Sequence, residues 1–226
     1  MNAAENIRAQ LLEHHKDLEV EIVPIETAVH FSPDDPEAAI RELEEALISG
    51  EVDVVLHLLR EIPVAMPEKI QLIGVSERTT PFDAFVSERF ALLDELPDGA
   101  RVGYSHQRQQ SQLLLYRPDF KLVEVHGSVD GRVERMNEHR LAALIVGAEN
   151  LEHVGRQELA NEIISGDIML PAPGQGCLGF LVRREDHELG RLFEPVGDQT
   201  SRFETIAERA FLGHLGGNPE IAVGVR

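Results

Sequence analysis

A regular alternation of strand and helix patterns between residues 101 and 146 constrains the fold of this chain more than any other feature. The apolar spacing predicts strand, helix, strand, helix and strand over Arg101–Gly103, Gln107–Tyr116, Leu122–Val125, Val129–His139 and Leu141–Val146. Alternation of this kind implies a parallel sheet that helices cover on both faces. We therefore predict an α/β fold with parallel-rich sheets.

The stretch from Val52 to Pro63 places a charged pair at the end of an apolar strand. Residues Val52–Leu56 predict a short buried strand, Arg60 and Glu61 follow it, and Pro63 prevents simple continuation of a helix or a central strand. In open α/β sheets, ligands bind outside the carboxyl ends of the strands. Arg60 and Glu61 are therefore candidate site residues.

Other segments predict the remaining elements less regularly. Helical spacing, alternation and capping signals predict a helix at Ile7–His15, a strand at Leu18–Val23, a helix that begins at Asp35-Pro36-Glu37 and ends at Gly50, strands at Ile70–Val75 and Cys177–Arg183, a helix at Thr200–Leu215, and a last strand at Ile221–Val225. The polar stretch Ser76–Pro81 and the Pro- and Gly-rich stretch Leu170–Gly176 predict two crossings between lobes.

Composition excludes several classes of protein. The formal net charge of -19 argues against binding to nucleic acid, whose phosphates require basic patches. The single cysteine, Cys177, cannot form an intramolecular disulfide, and no apolar run reaches the length of a membrane span. The N-terminus does not resemble a signal peptide. We therefore expect a soluble cytoplasmic protein without a membrane partner, whose acidity reflects either a saline cytoplasm or a GC-rich genome.

Two strand-to-helix junctions could bind an anion. Ser105 and Arg108 lie where the strand from Arg101 meets a helix, and a helix N-terminus attracts phosphates and carboxylates. Arg132 lies at the second junction, which begins at His126. The alternatives are that Ser105 only caps its helix and that both arginines are solvated. No histidine or cysteine pair has the spacing of metal ligands, and Cys177 fits a small core residue better than a nucleophile.

These segments together resemble the porphobilinogen deaminase family, also called hydroxymethylbilane synthases. The resemblance rests on VDVVLHLLREIPVAMP, TTPFDAFVS, LPDGARVGYSHQRQQSQLL, RPDFKLVEVHGSVDGRV, LPAPGQGCLGFLVRRED and AERAFLGHLGG, in the family's order and spacing. It implies two periplasmic-binding-protein-like lobes with a cleft between them and a small third domain. On this basis lobe 1 comprises 1–78 and 171–196, lobe 2 comprises 79–170, and 197–226 is a truncated third-domain segment that lacks most of that domain. The family's first strand is expected to be missing as well.

The resemblance makes the departures informative. The family attaches a dipyrromethane cofactor to a cysteine in a Gly-Gly-Cys loop, and Asn218 stands at that place here. We therefore expect no covalent cofactor. The family's catalytic aspartate follows a lysine, and the corresponding residues are Glu61 and Arg60, with Leu58 in place of a serine. The longer side chain of Glu61 shifts its carboxylate, and a displacement of about 1 Å can cost ~100-fold in rate.

The resemblance also implies that the substrate's carboxylates meet fewer arginines. Arg108, Arg132 and the Ser105 hydroxyl match the family, whereas arginine is replaced at Gln109, His126 and His153, and small hydroxyl residues are replaced at Tyr104 and His106. His106, His126 and His153 would line the cleft, where they could make ligand binding pH-dependent or hold a metal, although we expect no metal site.

Three functions stay open on this basis. The first is a deaminase-like protein related to tetrapyrrole biosynthesis that binds a small anionic ligand, such as porphobilinogen or another pyrrole, without processive synthesis. The second is an active transferase that uses a non-covalent primer or a partner chain, with Glu61 as its catalytic residue. The third is a structural subunit that uses the cleft or the third-domain segment as an interface.

Overall fold

The computed structural model describes residues 3–25, 38–218 and 221–226, and these divide into two α/β units. The first unit combines the described residues up to Thr79 with those from Cys177 to 218, and the second comprises residues 80–176 and 221–226. The chain passes from the first unit to the second after residue 79 and returns after residue 176. Helices and strands are numbered below in chain order.

The first unit contains a sheet of three described strands. Its elements are α1 (Ala3–His14), α2 (Ala38–Ser49), β1 (Val55–Leu58), β2 (Ile70–Val75), β8 (Leu178–Arg183), α6 (His187–Phe193) and α7 (Gln199–His214). The strand order is β1-β8-β2, and β8 is antiparallel to both neighbours. The parallel-rich prediction therefore does not describe these three strands, because β8 returns from the second unit and enters the sheet in the opposite direction.

The core of the first unit lies on both faces of β8. Leu181 packs with Leu47, Val55 and Ile62 on one face. Phe180 packs with Ile7, Leu11 and Phe193 on the other, with its ring centroid 5.2 Å from that of Phe193. Gly179 allows the strand to approach its neighbours closely, because a Cβ there would lie 2.6 Å from Ile62 Cδ1.

Helix α7 is joined to this first unit by polar contacts. Arg78 Nη2 donates a hydrogen bond to Glu208 Oε1 at 2.9 Å, and the Arg78 backbone N–H donates to Ser201 Oγ at the same distance. Glu208 and Ser201 are both buried. The helix thus packs on the strand β2 side of the unit, whereas residues 221–226 belong to the second unit.

The second unit has the predicted alternation. Its elements are β3 (Asp83–Val86), β4 (Arg101–Tyr104), α3 (Gln107–Tyr116), β5 (Lys121–Glu124), α4 (Val129–Glu138), β6 (Ala143–Gly147), α5 (Ala148–His153) and β7 (Glu162–Ile163). The sheet order is β5-β4-β6-β3-β7, with β4 parallel to both β5 and β6 and with β3 antiparallel to β6 and β7. All residues of β3 and β6 are buried, and β6 is accordingly apolar throughout, whereas β3 begins with the buried Asp83.

Two predicted strands are absent from the described residues. Leu18–Val23 forms no ladder, and the Val20 carbonyl instead accepts a hydrogen bond from Arg8 Nε at 3.1 Å. Residues 221–225 also form no strand, and Val225 N–H donates to the Pro171 carbonyl at 2.9 Å. An alternating pattern therefore indicates an extended segment, but a strand also needs a neighbouring strand edge to pair with.

The predicted helix start at Asp35-Pro36-Glu37 lies outside the described residues. Gly50, with φ of 81°, follows the end of α2 as predicted.

Candidate functional site

The turn after β1 presents the carboxylate of Glu61 to solvent beside two basic side chains. Residues Leu59–Glu61 form a single 3-10 turn. Arg60 Nη2 donates to Glu61 Oε1 at 3.2 Å, and His57 Nε2 lies 3.8 Å from Glu61 Oε2. The Glu61 side chain is 45% exposed, compared with 13% for Arg60. The predicted Arg60–Glu61 pair is therefore formed, and its carboxylate can reach a ligand.

Buried side chains and hydrogen bonds from the interior hold this turn in place. Leu59 and Ile62 are fully buried, and Leu59 N–H donates to the Cys177 carbonyl at 2.9 Å. Arg209 of α7 donates to the carbonyls of Leu59, Ile62 and Pro63 at 3.4, 2.7 and 2.8 Å. Burial lowers the pKa of Arg209 below its usual value. Sequence reasoning missed Arg209, because nothing local indicates that a helical arginine binds carbonyls about 150 residues away.

The glycine loop after α7 contacts the same turn. Val64 N–H lies 3.5 Å from the Gly217 carbonyl, and Gly217 adopts a positive φ of 74°. Asn218 follows directly and is exposed. The only cysteine in the sequence, Cys177, is 1% exposed. The loop around Gly217 thus lies near the Glu61 turn, and none of its described residues carries a thiol.

The N-terminus of α3 is closed by its own side chains. His106 is the N-cap, and its Nδ1 accepts a hydrogen bond from Arg108 N–H at 3.0 Å. Gln109 Oε1 accepts hydrogen bonds from the N–H groups of Ser105 and His106 at 3.0 and 3.2 Å. The side chains of His106 and Gln109 therefore cap α3, and the Ser105 hydroxyl can bind other groups.

Arg108 is buried in a polar network within the second unit. Its guanidinium forms an ion pair with Asp83 at 2.8 Å, with both side chains no more than 1% exposed, and donates to the Leu170 carbonyl at 2.7 Å and to Gln175 Oε1 at 3.2 Å. Gln109 Nε2 also donates to Asp83, at 2.7 Å. The network joins α3, β3 and the Pro/Gly-rich crossing. The role of Arg108 in ligand binding stays a prediction.

Sequence reasoning missed Asp83 and Gln175 as partners of Arg108. A signal for Asp83 existed, because a single aspartate in the apolar run PFDAFV needs a buried cation or several donors. For Gln175 the sequence offered only a polar residue between two glycines, which is equally typical of a solvated turn.

Arg132 and Ser105 bring the first turns of α3 and α4 together. Arg132 Nη1 donates to Ser105 Oγ at 3.2 Å, and Arg132 is 6% exposed. Ser128 caps α4 by accepting from Gly131 N–H at 3.2 Å. Tyr104, at the end of β4, is also buried, and this burial, helped by the nearby Glu124 carboxylate, raises its pKa. Arg132 and Ser105 were predicted independently, and the structure places them in contact.

The three predicted cleft histidines have different surroundings. His106 caps α3, His126 Nε2 lies 3.1 Å from Glu124 Oε1, and His153 ends α5. In the described ranges, no group of three or more histidine, cysteine, aspartate or glutamate side chains is arranged to hold a metal ion. The described structure thus gives no support to a shared metal site.

Comparison with known families places these features in context. Residues 1–191 match the family model described as "Porphobilinogen deaminase, dipyromethane cofactor binding domain". The chain is 39% identical over 214 residues to the porphobilinogen deaminase of Rubrobacter xylanophilus, covering 92% of this chain and 70% of the relative. It is 39% identical over 184 residues to that of Pelotomaculum thermopropionicum, covering 81% and 59%, and 36% identical over 225 residues to that of Roseiflexus sp., covering 96% and 74%.

Solved structures that share the fold include two proteins described as binding proteins. A nutrient binding protein from Burkholderia cenocepacia, bound to methionine, matches with a TM-score of 0.58 at 12% identity, covering 95% of this chain and 93% of that one. The methionine binding protein MetQ matches with a TM-score of 0.55 at 15% identity, covering 99% and 93%. The predicted α/β fold with two periplasmic-binding-protein-like lobes is confirmed. None of the helices in the described ranges combines the length and apolar character that crossing a membrane requires.

Proposed function

The chain belongs to the porphobilinogen deaminase family and is thereby related to tetrapyrrole biosynthesis, and from this premise we propose that it binds a small carboxylate-bearing ligand without a covalent dipyrromethane cofactor. Porphobilinogen or another pyrrole is the proposed ligand. Processive synthesis of a tetrapyrrole chain is not part of the proposed function.

The contact between Arg132 and Ser105 carries the ligand-binding part of this proposal. A guanidinium that is 6% exposed is poorly screened by water, so a carboxylate that reaches it forms a strong charge-assisted hydrogen bond. The Ser105 hydroxyl can donate to the same carboxylate while it accepts from Arg132 at 3.2 Å. The first turns of α3 and α4 add the positive ends of two helix dipoles.

The residues present do not fit covalent attachment of the dipyrromethane. A thioether requires a cysteine sulfur, and Asn218 offers only an amide at the expected position. Cys177 is buried at 1% exposure beside β8, where its backbone carbonyl holds the Glu61 turn. Alkylation of its sulfur would require opening the core of the first unit. The lack of an accessible thiol therefore supports a protein that binds its ligand reversibly.

Mass and turnover measured on one sample test this proposal. Purified protein is incubated with porphobilinogen, then passed through a desalting column under denaturing conditions and weighed by mass spectrometry. We expect the unmodified polypeptide mass, no consumption of porphobilinogen at an enzyme-like rate, and saturable binding by calorimetry. A covalently bound dipyrrole, or turnover at an enzyme-like rate, would overturn the proposal.

One observation favours a second function, a transferase that works on a non-covalent primer. The Glu61 carboxylate is 45% exposed and is flanked by Arg60 at 3.2 Å, so it could accept a hydrogen bond from a pyrrole N–H or exchange a proton there. If porphobilinogen is consumed, Glu61→Gln should abolish consumption. The matched control Glu68→Gln changes an exposed glutamate of the same unit and should leave the rate unchanged. Equal rates in all three proteins would dismiss Glu61 as the catalytic residue.

A further inference from the structure

Backbone N–H groups in the first turn of α3 could hold an anion, but side chains of the same turn already bind them. The N–H groups of Ser105 and His106 donate to Gln109 Oε1 at 3.0 and 3.2 Å. The N–H of Arg108 donates to His106 Nδ1 at 3.0 Å. Gln109 is 1% exposed, so its carboxamide is enclosed by the protein. A carboxylate that binds near this turn therefore finds three of its N–H groups occupied.

The Gln109 carboxamide is also fixed from the core side. Its Nε2 donates to Asp83 Oδ1 at 2.7 Å, and Asp83 is fully buried. An ionised carboxylate only accepts hydrogen bonds, so the nitrogen of the carboxamide must face Asp83 and its oxygen must face the loop before α3. Gln109 therefore presents an acceptor, and not a donor, to the backbone of Ser105.

Both Nη atoms of Arg108 have partners inside the second unit. Nη1 lies 2.8 Å from Asp83 Oδ2 and donates to the Leu170 carbonyl at 2.7 Å. Nη2 donates to Asp83 Oδ1 at 3.0 Å and to Gln175 Oε1 at 3.2 Å. A ligand carboxylate would have to break contacts with a buried carboxylate to reach these atoms, which costs more than an exposed contact returns.

The junction before α4 adds little further positive charge. His126 Nε2 lies 3.1 Å from Glu124 Oε1, so a charge on this imidazole is compensated by a carboxylate. Arg132 Nη1 donates to Ser105 Oγ at 3.2 Å. In the described part of the second unit, the contact between Arg132 and Ser105 is therefore where a ligand carboxylate gains most.

We propose that this junction binds its ligand through one carboxylate, and that Gln109 excludes a second. The inference rests on the proposed function and narrows its ligand to pyrroles for which one carboxylate suffices. A second carboxylate on an adjacent ring carbon would extend from the Ser105 hydroxyl toward the N–H groups of Ser105 and His106. There it would meet the carboxamide oxygen of Gln109, which repels an anion. Porphobilinogen would thus bind through only one of its carboxylates.

Two pyrroles that differ by one carboxylate test the inference on the full chain. The probes are a pyrrole with a single propionate side chain and the same pyrrole with an added acetate on the adjacent ring carbon, each titrated by calorimetry. We expect the dicarboxylate to bind no more than about threefold more tightly, because its second carboxylate gains no hydrogen bond. A larger advantage would overturn this inference and leave the proposed function intact. Saturable binding of neither pyrrole would refute both.

Substitution of Gln109 tests its part in this limit. Gln109→Ala exposes the N–H groups of Ser105 and His106, so the dicarboxylate should gain about tenfold over the monocarboxylate. The readout is the ratio of the two Kd values, because a general loss of stability lowers both affinities equally.

The matched control is Gln112→Ala. It removes a carboxamide of the same helix that binds the Leu170 backbone at 2.8 and 3.1 Å, and it should leave the ratio unchanged. A ratio that Gln109→Ala does not change, or that both variants change equally, would overturn the role of Gln109. If Gln109→Ala does not fold, the comparison of the two pyrroles on the unchanged protein still decides whether one carboxylate is bound.

Discussion

At the scale of single residues, the ion pair between Arg108 and Asp83 is the interaction whose loss should cost the second unit most. Both side chains are essentially fully buried, and Asp83 also accepts a hydrogen bond from Gln109. Removing one partner leaves an uncompensated buried charge, which typically costs ~3–5 kcal/mol. We expect Asp83→Asn to lower the free energy of unfolding by about 3 kcal/mol, measured by urea titration.

The matched control for this change is Asp119→Asn. Asp119 also pairs with an arginine, Arg117, at 2.8 Å, but its side chain is 34% exposed. Water replaces the lost contact there, so the effect should be much smaller. Equal destabilisation by the two variants would show that burial does not decide the strength of these pairs.

Substitution of Arg132 tests whether its contact with Ser105, and not positive charge in general, binds the ligand. Arg132→Gln should weaken binding of porphobilinogen by about tenfold or more, because a hydrogen bond to a charged group contributes ~1.5–3 kcal/mol. Arg135→Gln, on the same helix, removes an exposed guanidinium that donates to the His126 carbonyl, and it should change affinity little. Calorimetric titration of both variants measures the difference. Equal weakening would mean that the positive charge of either arginine, and not the Ser105 contact, attracts the ligand.

At the scale of elements, α7 acts as the support of the Glu61 turn. Arg209→Ala would leave the carbonyls of Leu59, Ile62 and Pro63 without their buried donor. We expect a loss of about 2 kcal/mol in stability and faster amide hydrogen exchange over residues 59–64, measured by mass spectrometry. Arg202→Ala, an exposed change on the same helix, should leave exchange at this turn unchanged. If both variants speed exchange equally, the helix as a whole, and not Arg209, holds the turn.

The cap of α7 gives a contribution to stability that depends on pH. Asp198 accepts a hydrogen bond from Ser201 N–H at 2.6 Å, and this bond lowers the pKa of its carboxyl from 3.8. A folded pKa below the unfolded value means that the stabilisation is full above the unfolded pKa and is lost as pH falls through the folded one. Asp198→Asn keeps a capping oxygen but does not titrate. The variant should therefore lose less stability than the parent between about pH 5 and pH 3, measured by thermal unfolding. Parallel pH curves for the two proteins would refute this account.

Helices and buried strands with a regular spacing of apolar residues could be predicted from the sequence. Strands whose formation depends on pairing with a distant segment could not. The helices over Gln107–Tyr116 and Val129–Glu138 and the buried strand Ala143–Gly147 lie within about two residues of their predicted bounds. Leu18–Val23 has the alternation of a strand, but no sequence pattern reveals that it forms no ladder.

The same distinction applies to the candidate site. The Arg60–Glu61 pair could be predicted because a strand end and a proline mark it locally. Arg209 and Asp83 could not be assigned in the same way. Their partners lie on distant elements, and the sequence does not state which arginine meets which carbonyl or carboxylate.

At the scale of the whole molecule, the net charge of -19 should make stability depend on salt. Self-repulsion among acidic groups weakens as the Debye length falls from ~20 Å to below ~5 Å between about 0.02 M and 0.5 M salt. We expect the melting temperature to rise over this range of potassium chloride, measured by thermal unfolding. A rise that continues into molar salt would favour a saline origin over a GC-rich genome. No rise at all would show that the acidic residues are already compensated locally.

The burial of Cys177 also provides a reporter of internal motion. The chain contains no tryptophan, so its own fluorescence reveals little about unfolding. Its single thiol is 1% exposed and lies where the chain re-enters the first unit, within the cluster that includes Leu59 and Ile62. A thiol-reactive dye can reach this sulfur only when that cluster opens, so each labelling event counts one opening. Where labelling outpaces reclosing, the rate of dye incorporation gives the opening rate of the core beneath the Glu61 turn, without any engineered probe.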